Sequence, residues 1–273
     1  MSTFIQMPLS LNQLKTKSNF LEIYTYFLIR SQIKDNKYTA SIAETELADK
    51  IGVSDRTIIK YIKDLEPYFD NVTKTKTTGD HYYNVYHFTY LSKDYSIVLP
   101  SLIDNDDLTP EQKGILIKIK MMCEKGTNFI KYNSKAELVK IIGIGKNQIN
   151  GKLQPLIDKG YLCYIGKSLH LSSNYFPLFL NNDAIENYVY KVIYNYCIIN
   201  KVCPPLRDTK AIGWIAAKYA NTTDSDGKPN NDLFIDLTKR CAKLPKDVSL
   251  DYFIKALENK DINRIKQTFT FTV

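Results

Sequence analysis

The chain has 273 residues, of which 44% are hydrophobic and 24% charged, with a net charge of +8. That length suits two or three domains with buried cores, and no apolar run approaches the ~18 residues of a membrane span. The excess of basic residues suits a polyanionic partner.

The first seventeen residues, MSTFIQMPLSLNQLKTK, lack a basic start followed by a long apolar stretch, so no signal peptide is expected. Five scattered cysteines, Cys123, Cys163, Cys197, Cys203 and Cys241, predict reduced thiols and a cytoplasmic setting. The positive charge is unevenly placed. Residues 1–103 carry 12 basic and 11 acidic side chains, whereas residues 111–159 carry 10 lysines against 4 acids. This basic block predicts a phosphate-gripping surface.

From the N-terminus, FLEIYTYFLIRSQI predicts an apolar-rich helix, and KYTAS a short strand. TELADKIGVSDRTIIKYIKDLE follows, from Thr45 to Glu66. In it Leu47 and Ile51 are spaced i, i+4, and Ile58, Ile62 and Leu65 are spaced i, i+4, i+7, each spacing marking one face of a helix. Gly52 lies where the first helix must stop in a left-handed turn, and Ser54 is a good cap for the next. This is a helix-turn-helix. Next, NVTKTKTTGDHYYNVYHFTYL predicts a hairpin turning at TTGD.

The same pattern returns 91 positions later. EQKGILIKIKMMCEK predicts a helix, NFIKY a strand, and AELVKIIGIGKNQINGKLQPLI, from Ala136 to Ile157, a second helix-turn-helix. At this offset Leu138, Ile142, Gly143, Ile144, Ile149, Leu153 and Leu156 fall on Leu47, Ile51, Gly52, Val53, Ile58, Ile62 and Leu65. GYLCYIGKSLHLSS predicts a shorter hairpin turning at Gly166 and Lys167. Two tandem winged-helix domains are therefore expected. Single-copy resemblance to an ordinary helical hairpin is the bland alternative, and the repeated register argues against it.

With Ile58, Ile62 and Leu65 turned inward, Arg56, Lys60 and Lys63 fall on the opposite side of the helix at about 100° per residue. Ser54 and Thr57 stand at its start, where hydroxyls and N–H groups meet phosphate. A recognition helix reads bases through its first turns. Arg56 suits guanine, and Lys60 and Lys63 suit phosphates. Lys74 and Lys76 alternate along the wing strand and share a face; they are either flanking DNA contacts or lysines guarding a solvated edge. In the second copy the candidates are Lys146, Asn147, Gln148, Asn150 and Lys152, with Lys167 at the wing turn. Asn and Gln suit adenine. Gly151 stands where the first copy has Lys60, and Pro155 inside the helix predicts a kink. This copy reads as a phosphate-gripping module or as an interaction module that has lost base reading.

GIGKNQ echoes a phosphate loop but lacks the P-loop and dinucleotide spacings. His81 and His87 share a strand face without cysteine or carboxylate partners at zinc spacing. No nucleophile motif is present. Neither a catalytic residue, a metal nor a cofactor is expected, and the chain is expected not to be an enzyme.

From Asn181 the pattern becomes helical throughout. Tyr188, Val192 and Tyr196 form a stripe, a helix follows with Trp214, and a polar loop precedes LFIDLTKRCAKL and SLDYFIKALENKDINRIKQTF, where Ser249 is a plausible cap. The predicted fold class is mainly α with small β wings (α+β). Its parts are a winged-helix domain over 1–103, a second over 104–180, and an all-helical domain over 181–273.

ELADKIGVSDRTIIKYIKDLE and ELVKIIGIGKNQINGKLQPLIDKGYL resemble the winged-helix domains of plasmid and phage replication initiators and replisome organisers. DLFIDLTKRCAKLPKDVSLDYFIKALENK is similar to the helical C-terminal domain of DnaD-like primosomal proteins, with Tyr252, Phe253 and Ile254 at the segment implicated there in DNA binding and helicase contact. The tryptophan that follows in that family is replaced here by Lys260 or a neighbour. The resemblance implies sequence-specific binding of double-stranded DNA in replication initiation or replisome organisation of a mobile element. It implies a helicase or primase as candidate partner, with a second copy of the chain as another. Two readings stay open beside it: a transcriptional regulator with a C-terminal dimerisation domain, and a protein-interaction scaffold.

Overall fold

The computed structural model describes residues 4–16, 19–33, 38–76, 82–124, 127–172 and 175–176, with only the backbone at 76, 82 and 165. The expected helical domain over 181–273, the turn at TTGD and His81 lie outside the described residues. Among those described, six α-helices and three small antiparallel sheets form a mixed α/β fold compatible with a winged helix-turn-helix.

The order of elements repeats. Helix α1 (Asn19–Ser31), strand β2 (Thr39–Ile42), helices α2 (Glu44–Ile51) and α3 (Asp55–Leu65), and the hairpin β3 (Asn71–Lys76) and β4 (Tyr82–His87) make the first set. Helix α4 (Pro110–Met122), strand β6 (Phe129–Lys131), helices α5 (Lys135–Ile142) and α6 (Ile149–Asp158), and the hairpin β7 (Leu162–Ile165) and β8 (Ser168–Leu171) make the second. Their sheets have the same topology, β2-β4-β3 and β6-β8-β7. Gly52 and Gly143 close α2 and α5 in the left-handed region, at φ 76° and 75°, where a side chain is disfavoured.

A strand pair not expected from the sequence joins the ends of the first set. Strand β1 (Ile5–Pro8) pairs antiparallel with β5 (Tyr95–Val98). It buries Ile5 and Met7, and a turn of 3-10 helix at Leu9–Gln13 follows it.

Helices α1 and α4 are buried nearly all round, as helices at the centre of a structure are. They pack on each other. A Cβ added to Gly114 of α4 would stand 1.9 Å from the Phe20 carbonyl oxygen of α1, so only glycine permits this approach. One continuous cluster of apolar side chains runs through both sets, from Ile23, Phe27, Leu47 and Ile58 to Ile117, Leu138, Ile149 and Leu153. Burying each such side chain contributes about 1.5–3 kcal/mol.

Several polar groups enter this interior. Lys113 donates to the Ile103 carbonyl at 2.7 Å, and Lys120 to the Thr127 carbonyl at 3.1 Å and to Asn128 Oδ1 at 2.5 Å. Lys118 lies over the Phe20 ring, 5.4 Å from its centroid. Burial lowers the Lys118 ammonium pKa and brings that of Lys120 down to about 8. The basic block over 111–159 therefore puts less charge on the surface than its count suggests: three of its lysines run their stems through the core and cap their heads on carbonyls and rings.

Candidate nucleic-acid interface

Helix α3 is positioned by its own sequence. Ser54 caps it, its side chain accepting the Thr57 N–H at 3.3 Å, and the two hydroxyls lie 2.9 Å apart. Ile58, Tyr61, Ile62 and Leu65 enter the core. The remaining arc carries Arg56, Lys60 and Lys63, all exposed. Ser54 is exposed and Thr57 half-buried at the helix start. Three cations thus project from one helix face, beside a helix N-terminus whose peptide dipoles favour anions. Asp55 in the first turn offsets part of that preference.

Behind this face lies a carboxyl pair that sequence reasoning missed. Glu22 of α1 is fully buried and accepts a hydrogen bond from the Thr16 hydroxyl. Burial pushes its carboxyl pKa up to about 7; the Thr16 bond opposes the rise, Asp64 of α3 adds to it, and Lys60 opposes it. No spacing rule connects residues 22 and 64, so only tertiary packing reveals the pair.

The wing adds further cations. Lys74 pairs in register with Asn84, and Lys76 with Tyr82. Opposite residues of an antiparallel pair share a face, so Lys74 and Lys76 belong to the face that carries Val72, Asn84 and Tyr86. Asn84 and Tyr86 are buried, while Lys74 is exposed. Lys74 therefore sits beyond the edge of the core on the sheet face turned toward the helices, not on the outer solvated face. Asn84 donates to Glu44 Oε1 at 2.8 Å, which ties the wing to the start of α2.

The second copy is arranged differently. Lys146, Asn147 and Gln148 lie in a turn, and α6 starts only at Ile149. The turn bonds match the first copy: Gln148 N–H and Ile149 N–H donate to the Gly145 carbonyl at 2.9 and 3.1 Å, as Thr57 and Ile58 do to Ser54 at 2.8 and 3.1 Å. What is missing is the capping hydroxyl, since Gly145 stands where the first copy has Ser54. Lys146, Asn147, Gln148 and Asn150 are all exposed. The helix continues through Pro155; the bond this residue cannot make would go to the carbonyl of Gly151, which has no side chain.

Lys152 does not join this exposed group. It pairs with Glu111 and lies 5.8 Å from the centre of the Phe20 ring. At the offset of 91 it occupies the slot of Tyr61, which is buried, so it is turned toward the first copy. Lys167 is exposed at the β7–β8 turn, where its carbonyl accepts the Tyr132 N–H at 3.0 Å.

Of the histidines, His87 meets Thr73 Oγ1 at 3.2 Å. His170 is buried beside Phe129, with ring centroids 5.3 Å apart, and burial lowers its pKa to about 4. No group of three or more His, Cys, Asp or Glu able to hold a metal occurs among the described residues. No helix among them is long and apolar enough to cross a membrane.

Comparison with known proteins bears on the first copy. Residues 28–82 match the family model of an HTH domain, a helix-turn-helix DNA-binding domain that here spans the end of α1, β2, α2, α3 and the first strand of the wing. No curated protein and no solved structure matches the chain.

Proposed function

We propose that the chain is a sequence-specific double-stranded DNA-binding protein built on two tandem winged helices, and that it initiates or organises the replication of a plasmid, phage or other mobile element. The observation that carries the DNA reading is α3, a capped helix in a matched HTH domain with Arg56, Lys60 and Lys63 exposed on one side. In this reading the protein acts in the bacterial cytoplasm by binding, not catalysis. The first copy selects sequence. The second adds contacts through Lys146, Asn147, Gln148, Asn150 and Lys167, while Lys152 is taken up by Glu111 and the Phe20 ring. Coupling two weak modules in one chain raises affinity through effective concentration.

Two unlike copies on one chain suit a site with two unlike halves. That favours repeats at an origin over a palindrome read by a symmetric regulator, in keeping with the resemblance to replication initiators. A helicase or primase, recruited through residues 181–273, is the proposed partner.

The test is binding of full-length protein to duplex DNA across a salt series. About six neutralised phosphates give a slope of log K on log salt near −5. The double variant Arg56→Ala/Lys60→Ala should lose about tenfold or more in affinity and flatten the slope. Unchanged affinity in that variant, with a slope near zero in the parent, transfers the face to a protein partner. Footprinting on the DNA of the parent element then separates origin repeats from a promoter palindrome.

A further inference from the structure

Three large hydrophobic side chains are exposed among the described residues: Ile59, Tyr90 and Tyr164. Tyr90 rests against Tyr38 with ring centroids 5.5 Å apart, and Tyr164 against Tyr132 at 6.4 Å. Ile59 stands outside the apolar cluster and is 51% exposed. A single exposed hydrophobic residue is ordinary on a protein surface. What sets Ile59 apart is its position on α3. At about 100° per residue it lies about 40° from Lys63 and about 60° from Arg56 around the helix. Arg56 precedes it by three residues and Lys63 follows by four, so it is an apolar group set beside a cationic strip.

The surface complementary to such a strip is anionic, with an apolar point along one side of it. A major groove has phosphates along its edges and, on each A·T pair, the C5-methyl of thymine between them. The flanking cations disfavour an apolar protein partner, because docking one would strip water from Arg56, Lys60 and Lys63 without repayment. The geometry points to Ile59 as a specificity-determining residue that packs on a thymine methyl group in the major groove. The inference rests on the reading of α3 as the DNA-facing helix, and it adds which base that helix favours. The corresponding slot of the second copy is Asn150, also exposed. It has no apolar end for a methyl group and offers an amide instead, so the two copies differ in what this slot can select.

The experiment begins by selecting duplexes from a random-sequence pool with the full-length protein. The selected duplex is then made with thymine or with uracil at each thymine position in turn, which removes one methyl and nothing else. The parent protein should bind one uracil duplex about fourfold more weakly, the effect of losing one methyl from an apolar contact. Ile59→Ala should bind the thymine duplex about tenfold more weakly and be indifferent to that thymine-to-uracil change. Because Ile59 is exposed, the variant should keep the parent's thermal midpoint, which is measured alongside; Ile59→Val, with a shorter branch, should retain part of the thymine preference. The inference is overturned if no position is methyl-sensitive, if the selected site lacks thymine, or if Ile59→Ala keeps the parent's sensitivity. It is also overturned if Ile59→Ala loses a protein partner while binding the duplex normally. Failure to select any duplex rejects the DNA reading itself, a separate outcome from selection without methyl sensitivity.

Discussion

Glu22 and His170 are buried titratable side chains whose effects on stability run in opposite directions. The Glu22 pKa rises to about 7 in the folded state from an ordinary value of 4.5, so the folded chain holds its proton more tightly than the unfolded chain. Its contribution is complete below about pH 4.5 and is lost as pH rises toward 7. His170 falls from 6.5 to about 4 on burial. Its contribution is complete above about pH 6.5 and is lost as pH falls toward 4. In the parent these slopes oppose each other across the same window. Glu22→Gln should therefore gain on the order of 2 kcal/mol relative to the parent at pH 7.5 and little at pH 4.5, read from urea unfolding at several pH values. His170→Phe should make stability fall less steeply below pH 6. If both variants track the parent at every pH, neither group titrates differently on folding.

Among the elements, the α1–α4 contact makes the severest demand on sequence. Gly114→Ala drives a methyl into the Phe20 carbonyl and forces two buried helices apart. We expect a loss of about 3 kcal/mol, seen as a lower thermal midpoint, whereas Ser54→Ala removes one cap and should cost only about 1 kcal/mol. Much of this level was legible in the amino acids. The offset of 91 carries Asn19–Ser31 onto Pro110–Met122 and Glu44–Ile51 onto Lys135–Ile142, and these are the bounds of α1 and α4, and of α2 and α5. Apolar periodicity repeated in register located those helices, and glycine located the stops of α2 and α5. The pair β1–β5 was not legible, because four-residue strands joined across some ninety positions leave no local period. Nor were the buried lysines: Lys113, Lys118 and Lys120 count toward the basic block over 111–159 until the neighbouring carbonyls and rings are known. Lys152 was legible in principle, since its register partner Tyr61 sits between core positions, but counting cations along the helix hid it.

At the scale of the whole molecule, a division at 103/104 cuts through a shared interior. Phe20, Ile23 and Phe27 of α1 lie in the same apolar cluster as Ile115, Leu116 and Ile119 of α4. A fragment of residues 1–103 should therefore fail to fold cooperatively. It should bind a hydrophobic dye and lack near-ultraviolet dichroism, although it contains the whole matched HTH domain. The two repeated sets should also melt together in one calorimetric transition. A fragment that melts sharply by itself would show that each set carries its own core.

The backbone contact at Gly114 also bears on how far apart two bound sequences can lie. Halves joined by a limp tether would tolerate a longer spacer whenever it restored the rotational phase of the duplex. Halves clamped helix to helix behave as a caliper locked at one opening. Inserting about 5 base pairs between the two contact sites turns the second to the far side of the duplex, and inserting about 10 returns the phase but not the reach. Both insertions should reduce binding to that of one half alone, as measured by competition against the uninterrupted site.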